Sequence, residues 1–158
     1  MLLTKKLYSA RMKRIDALFA DYGEAHRAAG NVACHTVGIS LIVFGVLSML
    51  QGVRIAGPVT ASEALVAVAG AWYLALDVPL GLAMLAAAAL VDVAARLVGD
   101  WRVGAAAFVV GWIFQGVGHA VYEKNSPAFL RNLVHLLVGP AFLVNKLVHA
   151  RPTAGMSG

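Results

Sequence analysis

Three polar residues recur at four-residue intervals inside an otherwise apolar run: Gln115, His119 and Glu123, in the stretch WIFQGVGHAVYE. At about 100° per residue each step drifts by only ~40°, so the three share one face of a helix. Asn31 and His35 repeat the i, i+4 spacing near the other end of the chain. His26 lies nine residues before His35, half a turn out of phase on a continuous helix. The two can face one centre only if the chain breaks between them, and Ala29-Gly30-Asn31 is the expected break, with Asn31 as N-cap. His135 and His149 complete the histidines. Imidazoles that converge at the water-facing end of a membrane bundle suit a metal ion. With one cysteine (Cys34) and carboxylates at Asp21, Glu24 and Glu123, the donor set would be nitrogen-rich with oxygen support. That fits non-haem iron or zinc better than thiolate-held copper. Gln115 and Glu123 could be ligands or groups that orient an imidazole. The plainer alternative is that membrane histidines pack through hydrogen bonds, and His149 reads as a solvated or interfacial residue.

The surroundings expected of these residues follow from composition. The chain has 158 residues, 60% of them hydrophobic, with mean hydropathy +0.77 and only 13% charged. So few charges cannot cover a soluble surface of this size, and an integral membrane protein is expected. The net charge is +5, and Lys5, Lys6, Arg11, Lys13 and Arg14 crowd the first fourteen residues. In so apolar a chain, with no aromatic-basic interleaving, this excess points to anionic lipid and topology rather than nucleic acid. One cysteine excludes an intrachain disulfide and a cysteine metal cage. No secretory leader is expected, because the basic start runs into an amphipathic stretch instead of an apolar one.

The expected fold class is all-α: a single domain over 1–150 with a short disordered tail at 151–158. An amphipathic helix over 5–20, with Leu7, Ala10, Met12, Ile15, Leu18 and Phe19 at helical spacing, lies at the membrane surface. Asp21 to Gly30 is a polar connector. Four transmembrane helices follow at about 31–50, 61–77, 79–98 and 103–122, each near the length that crosses ~30 Å of hydrocarbon. Gln51 to Thr60 and Gly99 to Arg102 are turns, and a last helix over about 127–149 is re-entrant or a fifth span. Four spans put both termini on one side. Lys5, Lys6, Arg11, Lys13, Arg14, Arg27, Lys124, Arg131, Lys146 and Arg151 then face Arg54, Arg96 and Arg102 across the membrane, which makes the termini cytoplasmic. The same parity gathers His26, His35, His119 and His135 at the cytoplasmic face. Composition suggests a bacterial inner membrane. Asp92 and Arg96 read as an i, i+4 ion pair. Trp72, Tyr73, Trp101 and Trp112 read as interface or packing aromatics, and Gly111, Gly116 and Gly118 as close-contact points between helices.

The pattern H-x4-N-x3-H at His26, Asn31 and His35, together with Trp112, Gln115, Gly118, His119, Glu123, Pro127 and Ala128, resembles the integral-membrane Fe(II)-dependent 2-hydroxy fatty acid dioxygenases. The resemblance spans about residues 15–148. It implies α-oxidation of a long-chain 2-hydroxy fatty acid by O2, giving the acid one carbon shorter and CO2, with no further cosubstrate. It implies Fe(II) held by His26, His35 and His119. His135 stands where the fungal pattern has glutamine, which leaves it a fourth ligand, a substitute or an orienting group. Asn31, Gln115 and Glu123 are the expected catalytic polar residues. Arg27, Lys124 and Arg131 are the expected binders of the substrate carboxylate. A non-enzymatic carrier or scaffold is the rival reading; a zinc hydrolase is a third, weakened by the lack of an HExxH motif. Oligomeric state is not legible.

Overall fold

The computed structural model describes residues 14–23, 28–123 and 134–148. The expected tail at 151–158, and the helix positions before residue 14, lie outside them. The described chain is all-α apart from one small hairpin. Helix α1 covers 14–23. It is followed by α2 (Ala29–Leu50), strands β1 (Arg54–Ala56) and β2 (Val59–Thr60), and α3 (Ala61–Leu76). Then come α4 (Val78–Val98), α5 (Trp101–Val117), a π-helical turn (Gly118–Glu123) and α6 (His135–Val148).

Local chemistry sets most boundaries. Thr60 and Glu63 form a reciprocal capping box at the start of α3. Asp77 closes α3 and caps α4, its carboxylate accepting from Leu80 N–H at 2.8 Å, with Pro79 in the first turn. Gly99, at φ 66, ends α4 in the left-handed region where glycine meets no Cβ penalty. Asp100 then accepts from Arg102 N–H at 2.9 Å to start α5. The segment read as a plain turn, Gln51 to Thr60, is instead a β-hairpin pairing Arg54 with Thr60 and Ala56 with Val59 around Gly57-Pro58. Asp21, Tyr22 and Gly23, read as connector, continue α1.

Helices α2, α4 and α5 (the last continued to Glu123) are long and apolar enough to cross a membrane. At 16 residues, α3 is apolar but spans only ~24 Å at 1.5 Å per residue. The 14 residues of α6 make about 21 Å, and it is not among the candidate spans. Three of the four expected crossings are therefore helices of full length, while α3, expected as the other, is shorter than a full span.

The main packing surface joins α2 and α5, antiparallel, through small residues spaced by seven. A Cβ on Gly38 would lie 2.8 Å from the Gly111 carbonyl, and one on Gly45 would lie 2.5 Å from the Gly104 carbonyl. The sevenfold spacing keeps one face of each helix against the other. Gly111 and Gly118 act as expected, while a Cβ on Gly116 would meet nothing within 4 Å. Helices α3 and α4 form a hairpin with Gly81 against Leu74. At the end of the bundle near the hairpin, the expected pair is present, Arg96 Nε to Asp92 Oδ2 at 3.1 Å. It belongs to a larger knot: Asp92 Oδ1 also accepts from Gln51 at 2.6 Å and from Ser62, and Arg96 reaches Glu63. At the opposite end Ile15, Tyr73, Leu76, Leu80, Met84 and Ala141 form a buried core that seats α1 and α6 on the α3–α4 turn.

Candidate active site

The site begins with how α2 starts. Ala28 is extended (φ −74, ψ 131) and no side chain of its own segment caps the helix. Glu123, from the far end of the chain, fills that role: its Oε1 accepts from Ala28 N–H at 2.7 Å and from Asn31 Nδ2 at 3.2 Å. The chain does break between His26 and His35, but at Ala28. Asn31 is not the N-cap, because α2 starts at Ala29 and places Asn31 inside the first turn, fully buried, with its amide donating to Glu123. The Asn31 carbonyl lies 3.1 Å from His35 Nδ1. A carbonyl carries no proton, so Nδ1 holds the hydrogen and the ring's lone pair sits on Nε2. Glu123, Asn31 and His35 thus form one orienting chain.

The stripe on α5 is real but its helix changes type. From Gly118 to Glu123 the backbone is π-helical. A wider turn takes more residues to come round, so the step from His119 to Glu123 falls short of a full turn where an α-helix would overshoot. His119 therefore turns inward beside His35, and the rings meet edge to face, 4.7 Å between centroids and 90° between planes. Gly118 permits this approach, since a Cβ there would lie 3.2 Å from His35 Nδ1 and closer still to Asn31.

His135, the first residue of α6, joins them in one pocket, open to the outside, between α2, α5 and α6. His35, His119 and His135 mark its polar end, while Ile42, Val43 and Trp112 wall it deeper along the bundle. Gln115 stands between the two ends. It is 8% exposed, and its Nε2 is buried with no hydrogen-bond partner among the described residues. The His135 Nε2 lies 2.8 Å from Asp21 Oδ2, and Tyr22 packs on its ring edge at 6.0 Å. Burial pushes the Tyr22 phenol well above its ordinary pKa, so it stays neutral.

Of the expected metal donors, His35, His119 and His135 are brought to one pocket, and His26 lies outside the described residues. Arg27, Lys124 and Arg131 lie outside them as well. Among the described residues no group of three His, Cys, Asp or Glu side chains forms a ready cage for a metal. The donor chemistry nonetheless suits one: two neighbouring imidazoles, one with Nδ1–H tied to a carbonyl and a third imidazole backed by a carboxylate, as metal-bound histidines are. Sequence reasoning missed Tyr22 and read Trp112 as packing. The signal for Tyr22 was present, because it completes an i, i+3, i+4, i+7 stripe with Ile15, Leu18 and Phe19.

Helices of membrane-spanning length and apolarity, around a pocket lined by three histidines and apolar side chains, define the class: an all-α membrane protein. The chain belongs to the Mpo1-like family, whose sequence model, described as 2-hydroxy-palmitic acid dioxygenase Mpo1-like, matches residues 12–151. It is similar to the 2-hydroxy-palmitic acid dioxygenase MPO1 of Saccharomyces cerevisiae, with 34% identity over 125 residues, 75% of this chain and 71% of the relative. No solved structure matches.

Proposed function

We propose that the protein is an Fe(II)-dependent dioxygenase that shortens long-chain 2-hydroxy fatty acids by one carbon. In balanced form, R–CH(OH)–COOH and O2 give R–COOH, CO2 and H2O. The alcohol carbon and the decarboxylation each yield two electrons, which account for the four taken up by O2. The observation that carries this reading is the meeting of His35, His119 and His135 at one end of an apolar-walled pocket, in a chain of this family. His26, His35 and His119 would hold the iron, with His135 as a fourth donor or an orienting group. Fe(II), when bound, supplies the redox partner for O2 and a Lewis-acidic seat for the substrate's oxygens.

The chain's own residues do the rest. Glu123 and Asn31 fix the tautomer of His35. The apolar wall at Ile42, Val43 and Trp112 receives the alkyl chain and excludes water. Arg27, Lys124 and Arg131 would draw the carboxylate to the pocket mouth. With α3 as a short fourth crossing, the termini and the site face the cytoplasm under the basic-residue bias.

The test uses full-length protein purified in detergent, loaded anaerobically with Fe(II), then given O2 and a C16–C24 2-hydroxy fatty acid. Mass spectrometry should find the acid one carbon shorter, with CO2 released, and His35→Ala and His119→Ala should each lose iron and product. Protein without stoichiometric metal and unchanged by either substitution would leave a carrier or scaffold. Stoichiometric zinc indifferent to iron chelation would leave a hydrolase.

A further inference from the structure

We propose that Gln115 is the residue that reads the 2-hydroxyl group, so that the pocket prefers 2-hydroxy acids over acids with an apolar group at C2. The inference rests on the functional reading above and names the specificity determinant within it. Gln115 is more than nine-tenths buried and lines the pocket. Its Nε2 finds no acceptor among the described residues. A buried amide left unpaired is costly, and such a group persists where a ligand completes it.

Position selects which ligand atom that is. On α5, Gln115 sits one turn from His119 towards the apolar end and three residues after Trp112. A fatty acid lying along the pocket has its carboxylate at the histidines and its tail against Ile42, Val43 and Trp112. The amide then faces the first carbons after the carboxyl carbon, where a 2-hydroxy acid offers an oxygen and its 2-methyl analogue offers only a methyl. Donation from Nε2 to that oxygen satisfies the amide, while the methyl analogue, similar in size, leaves it unpaired. Sites built to hydrogen-bond a substrate hydroxyl reject analogues that lack it far better than apolar pockets reject a size change. The amide lies against Gly38 of α2, where the missing side chain leaves it room, since a Cβ there would come within 2.8 Å of Nε2.

The experiment measures equilibrium binding of 2-hydroxyhexadecanoate and 2-methylhexadecanoate to full-length protein in lipid nanodiscs. The native chain should favour the hydroxy acid by about ten- to a hundredfold. Gln115→Met, close in volume, should bring the ratio to within about threefold of parity, mainly by weakening the hydroxy acid. Gln115→Asn, which retracts the amide by one methylene, should lower the ratio too and serves where the Met variant does not fold. An unchanged ratio in the variants, or an equal weakening of both ligands, overturns the assignment while leaving the dioxygenase reading intact. A native chain that neither binds nor shortens the hydroxy acid overturns that reading itself.

Discussion

Glu123 receives two hydrogens on one carboxylate oxygen, one from the backbone of Ala28 and one from Asn31, and so anchors the start of α2. A negative charge at a helix N-terminus also meets the positive end of the helix dipole. Glu123→Ala should therefore destabilise the protein by about 1–3 kcal/mol, seen as a lower thermal midpoint in detergent. Glu123→Gln keeps an oxygen acceptor and should cost less than the alanine change. The i, i+4, i+8 stripe already placed Gln115, His119 and Glu123 together on one face, but it could not say that Glu123 points across to another helix. Spacing reports which residues share a face. It does not report partners that arrive from 95 residues away. Asn31 misled for the same reason: it looks like a local cap, and its amide is taken by that distant carboxylate.

Helices were more legible than their interiors. The ends of α3 and α4 and the start of α5 fall close to the expected limits because Thr60, Asp77, Gly99 and Asp100 sit where the apolar runs stop. The π-helical turn after Val117 has no counterpart in hydrophobic periodicity, since it answers to packing of Gly118 against Asn31 and His35. The α2–α5 seam makes a sharp contrast testable. Gly111→Ala sets a methyl 2.7 Å from the Gly38 carbonyl, where neither helix backbone can yield cheaply, and should cost about 1–3 kcal/mol. Gly116→Ala, on the same helix with nothing within 4 Å, should instead stabilise by about 0.5–1 kcal/mol. Parallel thermal unfolding of the two variants checks both signs. At the other end of the bundle, Asp92→Ala strips Gln51, Ser62 and Arg96 of a shared acceptor. It should lower the midpoint by a comparable ~1–3 kcal/mol in thermal unfolding. The i, i+4 spacing showed the Asp92–Arg96 pair; Gln51 and Ser62 joined it only through tertiary packing.

Across the whole molecule, the short α3 decides the topology. If it crosses the membrane, the β-hairpin and the α3–α4 turn lie on opposite sides. In a Cys34→Ser background, Ile55→Cys and Val78→Cys should react with an impermeant maleimide from opposite faces of sealed vesicles, both positions being more than half exposed. Labelling of both from one face would rule out the crossing. Composition carried the membrane assignment, because it depends on sums over many residues, while the order and length of the helices brought His35, His119 and His135 to one pocket. The contact between Ala28 and Glu123 adds a constraint in time. At roughly 5–20 residues per second, synthesis needs about 5–20 s to traverse the 95 residues between them. During that interval α2 enters the membrane with Asn31 and His35 in its first two turns and the carboxylate that will hold Asn31 not yet made. Early folding therefore has to shelter a polar helix end, and anything that pauses the ribosome before Glu123 lengthens that exposure.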